Sequence, residues 1–148
     1  MNKKLWLAVS AVAMLAGCAC WRSAPDPANP KVYVIDGYLV VDQEPLIVKG
    51  DRPITWHLQQ TGPYRFASSA IELRPTKDLK QDKDPRNPEE MRRDLNCKAP
   101  ENDGHDVTCT PNLSFLFKGL VPRHYSITVE DTTRGNKPLI LDPSMIPR

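Results

Sequence analysis

Three histidines and four cysteines, with 20 basic and 18 acidic side chains, carry the possible chemistry of this 148-residue sequence. His57, His105 and His124 are the candidate metal ligands. A blue-copper site needs two histidines, a cysteine and usually an axial methionine. It also wants a histidine close behind the cysteine, and after Cys109 none follows until His124. Asp82-Lys83-Asp84-Pro85-Arg86-Asn87 starts like a calcium loop. Arg86 then occupies the fifth position, Asn87 stands where glycine is needed, and Arg93 replaces the bidentate glutamate. There is no G-x-S-x-G, no phosphate-binding glycine loop and no H-E-x-x-H. Glu89 and Glu90 adjoin at an expected helix start, where dipole compensation accounts for them. The expectation is a chain with no catalytic constellation and no cofactor.

The N-terminus carries a different chemistry. Met1-Asn2-Lys3-Lys4 precedes an uncharged run from Leu5 to Ala16. As a helix that run is about 18 Å long, too short for a bilayer core of about 30 Å. A basic start, a short apolar stretch and small residues at its end are the pattern of a secretory signal peptide, residues 1–17. Leu15-Ala16-Gly17-Cys18 resembles the lipobox of bacterial lipoproteins, a resemblance confined to residues 1–18. It implies a diacylglyceryl thioether on Cys18, cleavage before that residue and acylation of the new amino terminus. Ala19 behind the lipidated cysteine implies sorting to the outer membrane, facing the periplasm. Several acyl chains on one residue would anchor the protein stably, since each buried CH₂ contributes about 0.8 kcal/mol.

With Cys18 lipidated, Cys20, Cys97 and Cys109 remain. Outside the cytoplasm disulfides persist. Cys97 and Cys109 flank the turn signal Asn102-Asp103-Gly104 and are expected to pair. Closing so short a loop is worth about 3 kcal/mol in the chain-entropy model. Cys20 is then left free, acylated, or paired between molecules.

Positioning falls to short strands. Residues 18–30, with three prolines and no apolar period, read as a lipidated N-terminus and extended tether. From residue 31 the period becomes two: 31–36, 38–41, 46–48, 54–59, 64–66, 70–73, 113–117, 124–130 and 139–141. Such runs, punctuated by Gly, Pro, Asn and Asp, predict an all-β domain over 31–148. The expected form is a small antiparallel β-sandwich, an immunoglobulin-like or cupredoxin-like Greek key. Trp56, Phe66, Ile71, Phe115, Phe117, Tyr125, Ile127 and Val129 are its expected core. His57 and His124 alternate to the faces opposite Trp56 and Tyr125, and so outward. Residues 74–106 form a charged insert of mixed sign, within which Asn87-Pro88-Glu89-Glu90 predicts a short helix from Pro88 to Leu95.

Removing Lys3 and Lys4 with the signal peptide leaves the basic side chains equal to the 18 acidic ones. A neutral chain lacks the positive excess of a nucleic-acid binder. The leading expectation is therefore a non-enzymatic, membrane-anchored lipoprotein that binds an envelope protein through its insert or its edge strands. A periplasmic small-ligand or metal-binding sandwich is the alternative. An envelope hydrolase using carboxylates from separate loops is the third.

Overall fold

Alternation at a period of two buries one face of each strand and leaves the other to solvent. The computed structural model describes residues 24–60, 62–74, 95–112 and 122–148. Among them the pattern produces β1 (Lys31–Ile35), β2 (Tyr38–Val41), β3 (Leu46–Val48), β4 (Ile54–Leu58) and β5 (Tyr64–Leu73). It continues with β6 (Asp106–Cys109), β7 (Arg123–Asp131), β8 (Lys137–Leu141) and β9 (Ser144–Pro147). One 3-10 turn, Thr132–Arg134, joins β7 to β8 and is capped by Asp131.

The strands form two sheets. The first has the order β2-β1-β4-β6; the second is β3-β9-β7-β5, with β8 also on β7. β8 and β9 lie end to end along one edge of β7, separated at Asp142-Pro143. Between the sheets sits one apolar core. Val32, Val34, Ile54, Trp56, Leu58 and Val107 come from the first sheet, and Phe66, Ile71, Tyr125, Ile127, Val129 and Met145 from the second. At its centre the Trp56 and Tyr125 rings meet at 5.9 Å, tilted by 59°. The chain is thus an all-β sandwich, and each expected core residue that is described is buried.

Three features depart from the expectation. Pairing is not antiparallel throughout, because β1 runs parallel to β4 and β3 parallel to β9. The chain visits the second sheet as β3 before returning beside β1, and that detour restores the direction of β1. Residues 26–30, expected from composition to be part of a tether, are bonded to the first sheet. The amides of Thr55 and His57 donate to the carbonyls of Ala28 and Pro30, and Pro30 is fully buried. The two runs at 64–66 and 70–73 form one strand through a bulge, since Phe66 faces Val129 and Ile71 faces Ile127.

Cys97 and Cys109 are joined, with an S–S distance of 2.11 Å. Asn102, Asp103 and Gly104 turn the chain between them, all three at positive φ. The expected helix at 88–95 and strand at 113–117, the signal peptide, Cys18 and Cys20 lie outside the described residues, Leu95 apart. Leu95 is buried in the core. Among the described residues no helix is long and apolar enough to cross a membrane.

Candidate functional site

The outward face of the β2-β1-β4-β6 sheet changes character across its width. Burying Ile54, Trp56 and Leu58 turns Thr55 and His57 of β4 outward, and the register sets them opposite Thr108 and Asp106 of β6. The two threonine hydroxyls are 3.0 Å apart. His57 Nδ1 donates to Asp106 Oδ1 at 2.8 Å, and its Nε2 meets the side-chain amide of Asn29 at 3.3 Å. Asn102 Nδ2 also donates to Asp106.

Asn29 is held by a turn built on Asp26. The Asn29 amide donates to the Asp26 carbonyl at 2.9 Å, its side chain to Asp26 Oδ2 at 2.6 Å, and the Ala28 amide to Asp26 Oδ1 at 3.0 Å. The Asn29 side chain, followed by the Ala28 amide, holds the Asp26 carboxyl below its ordinary value.

An imidazole oriented by a carboxylate is the supporting half of a nucleophilic triad. Here the third position is taken by an amide, which is no nucleophile. His105, the residue before β6, is turned elsewhere. Its Nδ1 donates to the Asn102 carbonyl at 3.0 Å, and its Nε2 accepts from Arg65 Nη1 at 3.2 Å. His124 lies on β7 in the other sheet, exposed. The fold therefore brings His57 and His105 to neighbouring positions with separate partners, and leaves His124 apart. Among the described residues no three His, Cys, Asp or Glu side chains are grouped to hold a metal ion.

Toward β2 the same face becomes apolar. Register pairs Tyr33 with Val40 and Ile35 with Tyr38, so four large side chains share the outer surface of one hairpin. Ile35 is 52% exposed, Tyr38 75% and Val40 41%. The hairpin turns at Asp36-Gly37, both at positive φ, which is the two-residue connection that matches strand twist. Beside it lies a groove of about 780 Å³ lined by Tyr33, Ile35 and Val40 together with Ala24, Pro25 and Asp26. Lys31, Asn29 and Asp42 complete its lining. A smaller cleft of about 240 Å³ opens between the β5 bulge, at Ser68 and Ser69, and the segment from Leu95 to Pro100.

Two further ionisable groups are shifted. Burial pushes the Tyr125 phenol far above its ordinary value. The Thr133 hydroxyl, donating to Asp131 Oδ1 at 2.6 Å, leads the interactions that hold Asp131 below the usual carboxylate value.

Asn29, Arg65, Asp106 and the Tyr33-Ile35-Tyr38-Val40 surface were not among the residues singled out from the sequence. The last had a signal: β1 and β2 are apolar at nearly every position, more than a one-sided burial needs. Asn29 and Asp106 had none, since only the β1, β4, β6 register brings a tether residue and an insert residue to His57. No protein-family model and no curated protein matches the chain.

Proposed function

We propose that this chain is a lipoprotein of the bacterial envelope, anchored through Cys18 at the outer membrane and facing the periplasm. Its sandwich binds another envelope protein rather than transforming a substrate. The observation that carries the reading is the Cys97–Cys109 disulfide within a small domain that follows a lipobox. Both features belong to a compartment outside the cytoplasm. In the polar cluster the His57 and His105 rings are engaged by Asp106, Asn29, Arg65 and the Asn102 carbonyl. These contacts tie the β4–β6 pair to its flanking loops. The alternative of a metal-binding or small-ligand sandwich draws less support, since the three histidines do not converge on one point.

Contact with a partner falls to the edges. β3 ends one edge of the second sheet and carries Ile47, and Lys98 and Glu101 stand exposed on the disulfide-closed loop. Strand edges offer unpaired backbone groups that a partner can extend. Photoreactive residues at 47, 98 and 101 of the full chain, activated in intact cells, test this. A discrete adduct with one other protein at one or more positions is expected. The reading is overturned by a chain that stays monomeric and uncrosslinked at all three, or by an unmodified Cys18 in the mass of the mature protein.

A further inference from the structure

The apolar hairpin face and the start of the folded chain lie together. Tyr33, Ile35 and Val40 line a groove together with Ala24, Pro25 and Asp26. Tyr38, the most exposed of the large apolar residues among those described, extends the same surface toward the sheet edge. A contiguous apolar patch of this kind marks an interaction surface rather than scattered exposure.

Chain geometry restricts what can cover it. Cys18 stands six residues before Ala24, so a lipid on Cys18 is within about 20 Å of the groove at about 3.3–3.6 Å per residue. With residues 26–30 fastened to β4, the domain cannot pay out more tether. We infer that the Tyr33-Ile35-Tyr38-Val40 face rests on the surface of the membrane to which Cys18 is anchored. The proposal depends on the lipid anchor proposed above.

The chemistry of the face suits that occupant. Tyrosine favours the headgroup level, its ring toward the acyl chains and its hydroxyl toward water. Ile35 and Val40 supply apolar area between the two rings. Asp26, Asp36 and Asp42 border the patch beside Lys31, and such a rim favours zwitterionic over anionic headgroups. Docking there also sets an orientation. The sheet carrying β5, β7 and β8 then faces away from the bilayer, free for a protein partner.

The test uses the full lipidated protein with Cys20→Ser, reconstituted in phosphatidylcholine vesicles. Nitroxide labels are placed singly at Y38C, V40C and I140C. Ile140 lies on the second sheet and is 54% exposed, so it reports the far side. Labels at 38 and 40 are expected to lose access to an aqueous nickel chelate while gaining access to oxygen, and the label at 140 to keep full chelate access. Equal chelate access at all three sites, in protein that floats with the vesicles, overturns the docking and leaves the anchor standing. Dipolar broadening at 38 would show a second copy on the face, and loss of access to both reagents would show the chain's own residues there. Either result overturns the proposal. If Cys18 carries no lipid and the protein does not float, the anchor fails and the docking fails with it.

Discussion

Trp56 and Tyr125 occupy the centre of the core, yet Trp56 Nε1 and the Tyr125 hydroxyl have no hydrogen-bond partner. An unpaired buried hydroxyl costs about 1–3 kcal/mol, so removing it need not destabilise. Tyr125→Phe is expected to hold stability within about 1 kcal/mol or raise it, whereas Trp56→Ala should cost about 3–5 kcal/mol by opening a cavity. Urea unfolding midpoints of the two variants check the contrast. Asp131 acts at low pH. Its carboxyl is held down in the folded chain, first by the Thr133 hydroxyl. A group of lowered folded pKa contributes fully above its unfolded value, about 3.9, and loses that contribution as pH falls through the folded value. Asp131→Asn should therefore flatten the acid side of the stability curve below about pH 4 and leave its slope near neutrality unchanged. Melting temperatures between pH 2 and pH 7, roughly the window in which carboxylates titrate, measure it. At this scale alternation made Trp56, Tyr125 and His57 legible. It could not show that His57 meets Asp106, because 49 residues separate them in the chain.

The elements legible in the sequence are those with a clean alternation, β4 and β7, or a short β-rich run bounded by turn residues, β1 to β3 and β8. β6 and β9 were missed for different reasons. Asp106–Cys109 borders a segment dominated by charge, and Ser144–Pro147 is enclosed by prolines, which argue against a ladder position. The β3–β9 pairing sits at a sheet edge, where proline is tolerated. β6 also depends on the disulfide. The Lys98 amide donates to the Thr108 carbonyl at 2.9 Å and the Thr110 amide to the Asn96 carbonyl at 3.1 Å, so residues 96–98 lie along the strand. The cross-link holds that extension in place. Reduction should cost about 3 kcal/mol by restoring freedom to the unfolded chain. It should also raise hydrogen exchange at Lys98, Glu101 and Thr110 before it affects the amides of β7. Unfolding curves and exchange with and without reductant test both effects. Unchanged stability would mean that the loop is held by packing alone.

The domain boundary is where a reading by composition and the three-dimensional structure part most clearly. Prolines at 25, 27 and 30 read as an extended tether, because each fixes φ and removes a donor. The carbonyls of such a segment remain available, and here they are used. Ala28 and Pro30 accept from Thr55 and His57 at 2.8 and 3.0 Å, and the Asp26 carbonyl accepts from Gln43 Nε2 at 2.7 Å. The segment serves as a partner for backbone donors at the first sheet, which composition cannot reveal. A chain beginning at Ala24 should therefore fold as the whole domain does. One beginning at Lys31 loses those three hydrogen bonds to backbone carbonyls, of about 0.5–1.5 kcal/mol each, together with the contact of His57 with Asn29 and the buried ring of Pro30. It should be less stable by about 2–4 kcal/mol at neutral pH. It also loses Asp26, whose carboxyl is held down in the fold, so its stability should fall less steeply as pH drops below about 4. Comparing the two chains by denaturant titration at pH 3 and pH 7 separates these effects, because those values lie on roughly opposite sides of the unfolded carboxylate pKa. Equal stability at both would return residues 26–30 to the tether expected from composition and loosen the link between the proposed anchor and the domain. A deficit that is largest at neutral pH would fix the folded unit within a few residues of Cys18, close enough for the outer face of β1 and β2 to meet a bilayer if Cys18 carries the proposed lipid.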